Sequence, residues 1–128
     1  MSVEGTVRTV EVSASPQQVL AIALDLAAYP DWVEPCASVE VLDEDDLGRP
    51  RRAAFVFKAM IREIEVTLQY SYDRDCGFSW RSEPGGDLEA LDGQYEFREI
   101  EDGCTEVLYA LRVKPSFKVP GFLRQQAE

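Results

Sequence analysis

The chain has 128 residues, of which 24 are acidic and 13 basic, for a net charge of -11, and 45% are apolar. So much negative charge repels a phosphate backbone over most of the surface, so neither nucleic acid nor an anionic membrane is an expected partner. There is no histidine, which excludes Ser-His and Cys-His catalysis and any histidine-ligated metal, leaving carboxylate, phenol, amine, guanidinium or thiol groups to move protons.

In chain order, Thr6 to Ser13 reads as a first strand, although Val3, Val7 and Val10 leave its register ambiguous. Ser15 to Cys36 is the one long helical pattern. Ser15 is placed to cap it, Pro16 suits a first turn that lacks N–H partners, and Gln18 completes a capping box. Val19, Ile22, Ala23 and Leu26 form an apolar stripe, widened by Leu20, Leu24 and Ala27. Pro30 disfavours helical geometry at Tyr29 and so is expected to end the helix. Asp31 to Glu34 then has room for one short turn before Pro35, leaving Tyr29 and Trp32 at a corner between helix and sheet.

Ala37 to Leu42 reads as the second strand, and Asp43 to Gly48 as a solvated turn, since a calcium loop would need ligands where Leu47 and Ala54 stand. Arg51 to Ala59 and Ile61 to Tyr72 form a hairpin. In its second arm Ile64, Val66, Leu68, Tyr70 and Tyr72 alternate with polar residues, and Phe55, Phe57 and Ala59 share the covered face in the first. Phe78, Trp80 and Ser82 mark a short strand before Pro84-Gly85-Gly86. Leu88 to Ile100 is the next strand, with Gly93 expected to mark a bulge or bend. Val107, Tyr109, Leu111 and Val113 cover the last strand, and Pro120 begins a helix.

These elements amount to about seven antiparallel strands with an early helix and a terminal one, an α+β domain expected to span residues 1–128 as a single unit. No apolar run approaches the ~20 residues of a membrane span. No signal sequence is recognisable, so the cytoplasm is the expected compartment. Cys36, Cys76 and Cys104 are odd in number and widely separated, which suits reduced structural thiols better than a metal or redox pair. No metal or cofactor is expected.

The Asp-Leu-x-x-Tyr-Pro-x-Trp corner (Asp25, Leu26, Tyr29, Pro30, Trp32), Leu-x-Gly-x-Tyr-x-Phe from Leu91 to Phe97, and Val-Pro-Gly-Phe from Val119 to Phe122 together resemble the START-like superfamily. The resemblance is to its polyketide cyclase/dehydrase and coenzyme Q-binding branch. It implies a helix-grip fold, with an early helix pair and a curved sheet wrapped around a long C-terminal helix, leaving an internal cavity. It also implies that a hydrophobic molecule is bound, transported or transformed.

Aromatics usually pack cores. As a set, however, Tyr70, Tyr72, Tyr95 and Tyr109 bring four hydroxyls to one interior, and a cavity holding water or a polar ligand would satisfy them more readily than a dry core. The expected ligand-lining residues are Phe57, Leu68, Tyr70, Trp80, Tyr95, Phe97 and Tyr109, with Tyr29 and Trp32 at the mouth. Arg81, Arg98 and Arg112 fall on the opposite faces, so the interior reads as apolar and phenolic and no catalytic residue is assigned. Binding or transport of a polyketide, quinone or lipid is favoured over an aromatase/cyclase or dehydratase. A module docking a basic protein through its acidic surface is the third reading. The nine residues from Pro120 are too short to cross the sheet at ~1.5 Å per residue. Further chain, or a second subunit in a homodimer, is therefore expected to cover the aromatic face.

Overall fold

The computed structural model describes residues 4–59, 62–74 and 77–115. The C-terminal helix expected from Pro120 lies outside them, as does the covering of the aromatic face by further chain. Strand β1 (Glu4–Val12) leads into helix α1 (Pro16–Leu24), a 3-10 turn (Leu26–Ala28) and a one-turn helix α2 (Tyr29–Trp32). Strands β2 (Cys36–Glu44), β3 (Pro50–Ala59), β4 (Arg62–Arg74), β5 (Gly77–Ser82), β6 (Leu88–Glu101) and β7 (Cys104–Pro115) follow. The seven antiparallel strands that the alternation predicted form one sheet, curved as the resemblance implied, in the order β1-β7-β6-β5-β4-β3-β2 with β1 and β2 at its edges.

The start of α1 follows its sequence signals. The Gln18 amide donates to Ser15 Oγ at 3.2 Å and the Ser15 amide donates to Gln18 Oε1 at 2.9 Å, closing the capping box. The end of α1 does not. The helix stops at Asp25, whose ψ of 74° leaves the helical region, and Tyr29 is helical at φ -54°, ψ -41° despite the following proline. Pro30 sits in the first turn of α2, where its missing N–H costs nothing, and the Val33 amide closes that turn on the Tyr29 carbonyl at 2.7 Å. The break therefore falls before the corner rather than at Pro30. Ala23 and Leu26 are buried against the inner face of the sheet, while Ile22, expected in the stripe, is 60% exposed. Thr105 is fully buried and its hydroxyl donates to the Ala14 carbonyl at 2.6 Å, tying the entry of α1 to the start of β7.

The acidic segment after β2 is a turn held by its own side chain. Asp45 Oδ1 accepts from the Leu47 and Arg49 amides at 2.9 Å each, and Oδ2 pairs with Arg49 Nε at 2.7 Å. On the outer face the side chains of Arg52 and Gln69 both donate to the Glu83 carboxylate, binding the connection after β5 to β3 and β4.

Gly93 is not a bulge. Strand β6 runs through it in unbroken pairing with β7 (Asp92 to Arg112, Gly93 to Leu111, Gln94 to Ala110), and its irregularities fall near Leu88 and Glu101 instead. What the position requires is space. Trp80 lies directly opposite on β5, and a Cβ on Gly93 would come within 2.3 Å of the indole ring and 2.8 Å of the Ala110 carbonyl. The ring thus lies across bare backbone. Gly93→Ala should destabilise the fold by about 1–3 kcal/mol through overpacking. Gly5→Ala, whose Cβ would meet only the Leu111 carbonyl at 3.9 Å, should be nearly neutral. Chemical denaturation of the two variants checks the contrast.

Candidate functional site

The register of four strands, β4 to β7, brings one layer of rings together on the inner face. Tyr70 faces Trp80 across β4 and β5, Phe78 faces Tyr95 across β5 and β6, and Tyr95 faces Tyr109 across β6 and β7. Ring centroids lie 5.0 Å apart for Tyr95 and Tyr109, 5.6 Å for Trp80 and Tyr95, and 6.2 Å for Tyr70 and Trp80. Phe97 stacks on Tyr95 at 5.8 Å. These tilted and offset contacts suit the ring quadrupoles and hold the layer rigid. A second group joins the helices to β3. Phe55 stacks on Phe57, and Tyr29 packs against Phe55 and, edge on, against Trp32.

The expected lining residues separate into two sets. Leu68, Trp80 and Phe97 are buried in the hydrophobic cluster and support the layer from within, while Phe57, Tyr70, Tyr95 and Tyr109 are partly buried at its edge. Of the phenols, Tyr29 donates to the Ala23 carbonyl and Tyr72 to the Pro50 carbonyl, with the Arg49 guanidinium 4.3 Å above the Tyr72 ring centre. The backbone therefore satisfies Tyr72, one of the four hydroxyls expected to need a ligand or water. Tyr70, Tyr95 and Tyr109 have no hydrogen-bond partner among the described residues, and none of the three hydroxyls is a sealed, unsatisfied polar atom there. Tyr95 and Tyr109 line a groove of about 660 Å³ together with Arg8, Thr9, Val10 and Val107.

Arg8 escapes the sequence pattern. It lies directly opposite Tyr109, so β1 turns Thr6, Arg8, Val10 and Val12 to the aromatic face and Val7 outward. The ambiguous spacing of Val7 and Val10 is resolved in favour of Val10. Arg98 and Arg112 lie on the outer face, paired with Glu106 and Asp92.

The inner phenols are proton donors. Burial is the main cause of their raised pKa values, pushing Tyr95 up to about 12, with neighbouring Tyr109 adding to the effect, and raising Tyr70 and Tyr109 as well. At neutral pH each is an intact O–H. Cys36 is buried and its thiol is likewise pushed up by burial, so it is a poor nucleophile.

Trp32 is 53% exposed, resting on Tyr29 rather than in the core, so Trp32→Ala should cost less than about 1.5 kcal/mol in chemical denaturation. The phenols also set an alkaline limit. The unfolded chain releases tyrosine protons near pH 10, whereas Tyr95 holds its own to about 12. The folded state binds more protons between those values, so stability should be level below about pH 9 and fall as pH rises from 10 through 12. Denaturation midpoints across pH 8–12 check this; a midpoint unchanged to pH 12 would contradict it.

Residues 12–128 match the model of a family described as polyketide cyclase/dehydrase and lipid transport. The fold superposes on a START superfamily protein from Mycobacterium smegmatis with a TM-score of 0.81 at 20% identity, covering 96% of this chain and 88% of that one. A protein from Thermus thermophilus gives 0.78 at 21% identity, covering 97% and 84%. The Zhui aromatase/cyclase from Streptomyces sp. R1128 gives 0.75 at 15% identity, covering 92% and 72%. No curated protein matches the sequence. At such identities the structures show the fold alone, the START/Bet v 1-like helix grip. The family model spans almost the whole sequence, and the chain accordingly belongs to the polyketide cyclase/dehydrase and lipid transport family.

Proposed function

We propose that this protein binds a hydrophobic, oxygen-bearing small molecule, a polyketide, quinone or lipid, against the inner aromatic face. The observation that carries this is the group of phenols at Tyr70, Tyr95 and Tyr109, each a neutral donor with no partner among the described residues. A flat or extended apolar molecule would stack on Tyr95 and Tyr109, and its ketone or quinone oxygens would accept from the hydroxyls.

An aromatase/cyclase is the second reading, favoured by the likeness to the Zhui fold and by Arg8, an ionisable group on the aromatic face. Cyclisation also needs a group that takes up a proton. The side chains whose charge bears on Tyr70 and Tyr95 are other phenols and Cys36, all held protonated by burial, so binding is the better supported reading.

Titration with a hydroxyanthraquinone, followed by Trp80 emission in a Trp32→Phe background, tests the proposal. Saturable quenching is expected, with Tyr95→Phe weakening affinity about 5- to 10-fold through loss of one hydrogen bond. Native mass spectrometry with the same compound, a long-chain fatty acid and a polyketide analogue should show one-to-one adducts. Failure of all three to bind would overturn it.

A further inference from the structure

Arg8 occupies a place that stability does not explain. Strand β1 carries valines on both faces, Val7 being 71% exposed on the outer one, while Arg8 stands, exposed, on the aromatic face opposite Tyr109 and between Thr6 and Val10. The outer face offers carboxylates in quantity, and Arg52, Arg98 and Arg112 are each paired with one there. Arg8 has no ion pair among the described residues of a chain in which acids outnumber bases by 24 to 13. Near the inner face, Arg49 is held by Asp45 and Arg51 faces Asp43. Arg8 alone among these three is an uncommitted positive charge, and it lines the same groove as Tyr95 and Tyr109.

We propose that Arg8 selects the charge of the ligand, which carries a carboxylate or an ionised enol at one end of a flat apolar body. The body lies on Tyr95 and Tyr109 and the anion meets the guanidinium at the β1 edge, where a planar fork matches two oxygens. A chain of net charge -11 repels anions at long range, so a local cation is what would allow an acidic ligand to settle in this groove. The inference rests on the binding reading above and adds the ligand's charge and orientation to it.

A matched pair of probes separates the two. 2-Naphthoate and 2-naphthamide share a ring system and differ in charge, and their affinities are measured by calorimetry at low and high salt for the wild type, Arg8→Gln and Arg8→Lys. Naphthoate should bind the wild type about 5- to 10-fold more tightly than naphthamide, with the preference shrinking in salt. Arg8→Gln should abolish the preference by weakening naphthoate far more than naphthamide, with the thermal midpoint unmoved, and Arg8→Lys should keep part of it. Equal binding of both probes to the wild type, or a preference that survives Arg8→Gln, would overturn the role of Arg8 and leave the aromatic site standing. Binding of neither probe by any variant would overturn the site itself.

Discussion

The inner face depends on one close approach, the Trp80 indole lying across Gly93. Because the glycine has no side chain, the ring settles onto the backbone of β6 and comes within stacking reach of Tyr70, Phe78, Tyr95 and Tyr109 at once. A larger residue at Gly93 would lift the indole and spread the rings that aim the three phenols. The sheet can then present an aromatic wall with fixed hydroxyl positions rather than a loosely filled core.

The alternation in β4 made its inner and outer faces legible from sequence, and with it the aromatic set. The α1 start was equally legible, because Ser15, Pro16 and Gln18 carry their own local chemistry. Three features were not. A glycine within a strand signals either a bulge or a close neighbour, and the neighbour, Trp80, lies on another strand, so spacing could not decide for Gly93. The end of α1 at Asp25 has no sequence marker; beyond it Leu26 is buried in the core cluster and Tyr29 packs against it, long-range contacts that local spacing does not show. Arg8 was hidden because β1 is an edge strand with valines on both faces, and only its pairing with β7 fixes which face is inner.

The two faces divide the electrostatic work. Outside, guanidinium and carboxylate groups form exposed pairs such as Arg98 with Glu106 at 2.7 Å, which add little to stability but keep the surface hydrated. Inside, a thiol and several phenols are held in their neutral forms by burial. With no histidine in the chain, these groups carry the same charge throughout the physiological range. A change in affinity between pH 6 and 8 would therefore report the ionisation of the ligand.

Tyr29 links the rings of Trp32 and Phe55 to the helix end. Its ring packs between Trp32 and Phe55, while its hydroxyl occupies the Ala23 carbonyl in the last turn of α1, one of the acceptors a helix cannot satisfy internally. The ring therefore cannot swing away from Phe55 without releasing that carbonyl. Mechanically, the Tyr29–Phe55–Trp32 ring group and the final turn of the helix are one part: parting the rings loosens the turn, and whatever steadies the helix terminus holds the rings together.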